Sequence, residues 1–157
     1  MESGQPTTTT NTSMMRGLLL LSTLNTSLCV LVYGIGLLSM GVVTQLPYAE
    51  YEALFNQQGA GLFDPEAMAR SGEVLRIIHE HGVLLLGLLL ARTLARLVGV
   101  VLMWRGRVVG FHVYAIAQLA GIFLPHLVLP WAYLGFLGPL MSVAMTALYG
   151  SQLKQLK

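Results

Sequence analysis

The sequence predicts an all-α integral membrane protein, a four-helix transmembrane bundle with a short outer-face amphipathic helix before the second span. Two observations predict this class. Of the 157 residues, 55% are hydrophobic and only 10% are charged, with a mean hydropathy of +0.68, whereas a soluble domain carries about 25% charged residues. The long uncharged tracts are also continuously apolar. Continuous runs indicate helices, because the strands of a membrane β-barrel alternate between apolar and polar residues.

The chain begins with a polar segment. Residues 1–13, MESGQPTTTTNTS, are rich in threonine and show no periodicity, which predicts a disordered tail ahead of a single membrane domain over residues 14–157. The apolar run of residues 17–43 predicts the first span. This run is far longer than the roughly 7–15 apolar residues of a signal peptide, so we expect the segment to be retained as a membrane helix.

A loop of residues 44–81 follows and is the only sizeable soluble segment. Within FDPEAMARSGEVLRII, Asp64 is a candidate N-cap and Pro65 occupies the first helical position. This pattern predicts a short amphipathic helix that leads into the second span, residues 82–103, with Gly72 as a break between the two.

The last part of the chain predicts a helical hairpin. Residues 108–150 contain no Asp, Glu, Lys or Arg, and they are about twice as long as the ~20 residues that cross a bilayer. Pro125 and Pro130 lie near the middle and interrupt the helix there. The predicted third and fourth spans are therefore residues 108–124 and 128–150, and Gly138 and Pro139 are expected to kink the fourth.

Basic residues predict the orientation of the spans. Because lysine and arginine concentrate near cytoplasmic span ends, we expect both termini in the cytoplasm and a multi-pass protein of the cell inner (cytoplasmic) membrane. The net charge of +2 is too small to indicate a nucleic-acid partner. The basic residues on the expected cytoplasmic side are Arg16, Arg105, Arg107, Lys154 and Lys157.

The segment WRGRVVGFHVYAIAQLAGIFLP, residues 104–125, resembles a pattern in small uncharacterised four-helix integral membrane proteins of bacteria. The likeness extends more loosely through GPLMSVAMTALYGSQLK. It implies the four-helix topology and carries no assigned activity.

The second span carries a stripe of small residues at every fourth position. Gly87, Ala91, Ala95 and Gly99 form one ridge on a helix, which lets another helix approach closely. The ridge predicts helix packing within the chain or, alternatively, a seam between copies.

Two arginines lie beside this ridge. Arg92 is about 20 Å along the helix from Arg105, near mid-membrane, where a charged side chain is costly. Snorkelling of the side chains to the headgroups is one explanation. The other is a buried polar layer at matching depth, formed by Asn25, Thr26, Tyr114, Gln118, Ser142 and Thr146. That layer contains no acid, so the charge would be balanced from outside the chain. The candidates are a lipid phosphate, an anionic or quinone-like ligand, or a carboxylate of a partner subunit.

The histidines are weaker candidates. His79 and His81 are two residues apart and point away from each other on a helix, so we expect no metal site there. His81 and His126 are the only histidines at matching depth for bis-histidine haem, and we expect no cofactor. No sequence motif of a known catalytic centre is present.

Three functions follow, in order of preference. The first is a non-enzymatic membrane protein that acts through helix association, as an accessory subunit or a self-assembling homo-oligomer. The alternative is a binder or carrier of a small anionic ligand or membrane lipid that uses Arg92 and Arg96. The third is electron transfer through haem.

Overall fold

The computed structural model describes residues 8–59, 65–131 and 135–156. Within these ranges the secondary structure is helical, with no strand. In this described part of the chain there are five α-helices, and short 3-10 helices follow the fourth and the fifth, at Leu124–Leu127 and Leu153–Gln155. The α-helices are α1 (Thr8–Val43), α2 (Tyr48–Gly59), α3 (Pro65–Trp104), α4 (Val108–Phe123) and α5 (Leu137–Ser151).

Three of the helical segments are long and apolar enough to cross a membrane. They are Ser13–Val43, Gly72–Trp104 and Val108–Leu127. This confirms the all-helical class and a chain with several candidate membrane spans. α5 has 15 residues, fewer than the ~20 that a perpendicular crossing needs, so it is not among these three.

Several predicted boundaries differ from the structure. α1 begins at Thr8, inside the segment predicted as a tail. α3 begins at Pro65, as predicted, but runs through Gly72 without a break, so the predicted break there is wrong. A single glycine costs a helix only about 1 kcal/mol, which the rest of this 40-residue helix outweighs. Asp64, the predicted cap, lies outside the described residues.

The fourth predicted span also begins later than expected. Its helix starts at Leu137 rather than at residue 128. Gly138 and Pro139 therefore lie in the first turn of α5 and do not kink it. Proline is tolerated in a first turn because the backbone N–H that it lacks has no acceptor within the helix there.

The turn between α3 and α4 needs a glycine. Gly106 has φ of +75°, a left-handed conformation that glycine adopts without steric cost. The N–H groups of Gly106 and Arg107 donate to the carbonyls of Met103 and Leu102, which is the Schellman arrangement of a helix end. The turn therefore lies where the sequence predicts it.

The buried core lies at the end of the bundle that carries this turn, called here the Gly106 end. The rings of Tyr114 and Tyr149 meet edge to face, with centroids 4.9 Å apart. The Tyr149 hydroxyl donates to the Leu18 carbonyl at 2.6 Å, which joins α5 to α1. The core residues are Met15, Leu19, Val100, Met103, Tyr114, Tyr149 and Leu156.

α2, which the sequence does not predict, is held against α3 by aromatic contacts. An imidazole nitrogen of His79 lies 2.9 Å from the Leu46 carbonyl, and its ring contacts the rings of Tyr48 and Tyr51. Burial raises the pKa of the Tyr51 hydroxyl, and the neighbouring Tyr48 adds to the effect. His79 therefore anchors this segment to α3.

α3 and α4 approach each other at two glycines. A Cβ on Gly99 would lie 2.7 Å from the backbone nitrogen of Tyr114, and one on Gly110 would lie 2.6 Å from the Gly99 carbonyl oxygen. In contrast, a Cβ on Gly87 would have nothing within 4 Å. The α3–α4 contact thus uses the Gly99 end of the predicted ridge and leaves Gly87 open.

We expect Gly99→Ala to lower the free energy of unfolding by about 1–3 kcal/mol, because the new methyl group meets backbone atoms that have no room to move. The matched control is Gly87→Ala on the same helix, which we expect to leave stability unchanged or raise it by up to about 1 kcal/mol. Detergent-induced unfolding followed by circular dichroism measures both. Equal effects of the two substitutions would contradict the close approach.

Candidate functional site

A cavity of about 650 Å³ lies between α1, α3, α4 and α5. Its size is in the range of small-molecule sites, about 300–1,000 Å³. The wall is mainly apolar and includes several polar side chains. The described polar side chains that line the cavity are Ser22, Asn25, Arg92, Arg96, Gln118, His126 and Ser142.

Arg92 reaches from α3 across to the backbone of α4. Its Nε donates to the Ala117 carbonyl at 3.0 Å, and one Nη donates to the Gln118 carbonyl at 3.3 Å. Each carbonyl has a second lone pair beyond the one used in the helix, so the helix accepts these extra bonds. Arg92 therefore has hydrogen-bond partners in the chain, but these partners are neutral.

Gly121 makes room for the Arg92 guanidinium. A Cβ built on Gly121 would overlap the guanidinium carbon and two of its nitrogens. The arginine head thus occupies the space that any other residue at position 121 would fill. Ala117 and Gly121 are four residues apart on α4, so they leave one flat strip on which the guanidinium lies.

Arg96 is one turn further along α3 and is more deeply buried. Its side chain is only 9% exposed, and its guanidinium carbon is 5.6 Å from the centre of the Tyr114 ring. This is within the ~6 Å range of a cation–π contact. The buried Nε of Arg96 has no hydrogen-bond partner among the described residues.

Gln118 adds a second unused polar group. This residue is 6% exposed and lines the cavity, and its buried side-chain oxygen Oε1 has no described partner. Leaving a buried polar group without a partner costs about 1–3 kcal/mol. Together with the Ser22 oxygen Oγ, the Arg96 Nε and the Gln118 Oε1 are buried polar atoms without a described partner on residues that line the cavity.

The electrostatic balance of the cavity is positive. Two guanidinium groups line it, and none of its described lining residues is Asp or Glu. On the same helix, Arg76 pairs with Glu80 at 3.6 Å, but both side chains are exposed, at 66% and 51%, and neither lines the cavity. The structure thus brings Arg92 and Arg96 together without a described counter-ion.

The rest of the predicted polar layer is assembled only in part. Asn25 lines the cavity from α1, and Tyr114 contacts Arg96 rather than the cavity itself. Thr146 donates to the Ser142 carbonyl of its own helix and so does not serve the arginines. The sequence predicts the two cations and Gln118 at one site, and the structure brings these three to one cavity.

The two histidines considered for haem lie in different surroundings. His126 lines the cavity, and its ring stacks on Trp131 with centroids 4.4 Å apart. His81 is exposed and is not part of the cavity lining. Among the described residues, no group of three or more His, Cys, Asp or Glu side chains is arranged to hold a metal ion.

Sequence reasoning missed Gly121 and the apolar wall from α5. The small-residue spacing of Ala117 and Gly121 is a signal that would have marked one face of α4 for close contact. The wall residues Met141 and Met145 carry no such signal, because an apolar residue on a membrane helix is expected on any face.

Comparison of the chain with protein-family models, curated proteins and solved structures finds no match. The site is therefore interpreted from its own geometry.

We expect a strong energetic coupling between Gly121 and Arg92. Gly121→Ala in the otherwise unchanged protein displaces the guanidinium from its two carbonyl acceptors and lowers the free energy of unfolding by about 1–3 kcal/mol. In an Arg92→Leu background the methyl group has no guanidinium to displace, so most of this loss disappears.

A double-mutant cycle of the four proteins, unfolded in detergent and followed by circular dichroism, measures the coupling. Gly34→Ala is the matched control, since a Cβ there would have nothing within 4 Å. A coupling energy near zero would show that Arg92 does not lie on Gly121.

Proposed function

We propose that this protein is a multi-pass integral membrane protein that binds a small anionic ligand or an anionic lipid, with Arg92 and Arg96 as the binding cations. The observation that carries the proposal is the pair of guanidinium groups on one cavity whose described lining residues include no carboxylate. This favours ligand binding over helix association, the two functions that rank highest from the sequence. The protein binds its ligand in this proposal and does not catalyse a reaction.

The two arginines need both hydrogen-bond acceptors and a negative charge, and these are separate requirements. The carbonyls of Ala117 and Gln118 satisfy donors of Arg92, and the Tyr114 ring lies near Arg96, but neither contributes a negative charge. A cation removed from water is stabilised most by a paired anion. An acidic ligand would supply that charge beside the two guanidinium groups.

The proposal includes a topology. α5 and the residues before it would complete a fourth crossing beside the three longer helices, and both termini would lie in the cytoplasm. Basic residues at the Gly106 end support this orientation through the positive-inside rule. In that arrangement Arg96 lies about 13 Å, and Arg92 about 20 Å, along α3 from Arg105.

Self-association is the second candidate function. It is favoured by the open space beside Gly87, where a Cβ would have no neighbour within 4 Å, and by the exposed neighbouring Ala91. Small exposed residues let a second helix approach closely in lipid. Native mass spectrometry of the purified protein distinguishes the two candidate functions, because self-association requires a dimer or a stoichiometric partner.

The ligand-binding proposal is tested with dodecyl phosphate, an acidic amphiphile, and protein reconstituted in phosphatidylcholine nanodiscs. We expect Arg92→Gln and Arg96→Gln each to weaken binding about 10- to 100-fold, because a hydrogen bond to a charged group contributes about 1.5–3 kcal/mol. Isothermal titration calorimetry measures the dissociation constants.

Arg76→Gln is the matched control, since it removes an arginine from the same helix outside the cavity. We expect its affinity to equal that of the unchanged protein. Circular dichroism and thermal unfolding establish that each variant is folded. If folded Arg92→Gln and Arg96→Gln bind dodecyl phosphate as tightly as Arg76→Gln does, the proposed function is wrong.

A further inference from the structure

The cavity has a mouth between α1 and α5. These two helices make little backbone contact, and they are tied at the Gly106 end by the hydrogen bond from Tyr149 to Leu18. Beyond that tie, Leu21 and Met141 are 60% and 54% exposed and yet line the cavity. The cavity therefore reaches the lateral surface of the bundle between these helices.

This mouth lies at the depth of an apolar span. Leu21 and Asn25 belong to the candidate span Ser13–Val43, several residues inside its first end. In a membrane, this part of the surface faces lipid hydrocarbon rather than water. A ligand that uses the mouth thus arrives from the bilayer.

The lining is divided in the way that an amphiphile requires. Arg96 and Gln118 are buried behind the mouth, each with an unpaired polar atom. Ile122 and Met145 add apolar wall beside them. A group at the polar end would contact cations, and a chain leading out of the mouth would contact Leu21 and Met141, with Asn25 as the exposed polar side chain beside them.

We propose that the ligand is an anionic lipid that enters sideways between α1 and α5. Its acidic head lies against Arg92 and Arg96, and its chain leaves between Leu21 and Met141 into the bilayer. The inference rests on the proposed function and adds to it the chemical class of the ligand and the route of entry. The competing route is the other end of the cavity, where it reaches His126 after α4 and a water-soluble anion would enter.

Leu21 is the position at which to close the mouth, because it lines the cavity and is 60% exposed. Leu21→Trp places a larger apolar side chain at the mouth and leaves the end of the cavity at His126 unchanged. The matched control is Leu24→Trp, which makes the same change at a leucine of α1 that is 70% exposed and is not among the lining residues.

The test compares dodecyl phosphate with inorganic phosphate in phosphatidylcholine nanodiscs. We expect the unchanged protein to prefer dodecyl phosphate at least about 100-fold, because burial of each methylene strengthens binding about fourfold. Leu21→Trp is expected to weaken dodecyl phosphate binding at least about tenfold, and Leu24→Trp is expected to leave it unchanged. Thermal unfolding confirms that both variants are folded.

Other outcomes separate this inference from the proposed function. If inorganic phosphate binds as tightly as dodecyl phosphate and binding still depends on Arg92 and Arg96, the ligand is not a lipid, whereas the proposed function stands. If dodecyl phosphate is preferred but Leu21→Trp behaves like Leu24→Trp, the lateral entry is overturned. If neither probe binds, or if binding does not depend on the arginines, both are overturned.

Discussion

The close approach of α3 to α4 is the constraint on which the rest of the structure depends. At Gly99 and Gly110 the two backbones are so near that a methyl group on either would meet main-chain atoms. Lipid provides little hydrophobic drive for helix association, so close van der Waals packing has to hold the pair together. The same proximity brings Arg92 within reach of carbonyls on α4. The close approach of α3 to α4 therefore determines both the packing of the two helices and the position of the Arg92 guanidinium.

Glycine serves this arrangement in two different ways. Gly99 and Gly110 remove side chains so that helices meet, whereas Gly121 removes a side chain so that a guanidinium has room. Arg92 is consequently held against α4 and directed along the cavity wall. Arg96, one turn away, has the Tyr114 ring near its guanidinium and an unpaired Nε. One arginine is thus fixed by the backbone, and the other keeps a buried donor without a described partner.

The parts of this structure that depend on local pattern were predictable from the sequence. Pro65 as a helix start, the Gly106 turn and three long apolar helices follow from proline, glycine and hydropathy signals. The late start of α5 was not predictable, because the sequence before Leu137 is as apolar as a span, and hydropathy alone does not show where the helix begins. Arg92, Arg96 and Gln118 were expected at one depth, but helix depth does not specify which faces meet. The role of Gly121 depends on a contact with a different helix, which spacing along one helix does not reveal.

The two positive charges beside the cavity determine which kind of ligand can complete the site. A neutral acceptor is enough to satisfy an N–H group, and the carbonyls of α4 do this for Arg92. The net charge of two neighbouring guanidinium groups is not removed by such bonds, and each raises the cost of the other in a low dielectric. An anion placed between them lowers both costs at once. For this reason a single acidic group in the cavity would stabilise the protein as well as occupy it, and binding would be linked directly to the stability of the fold.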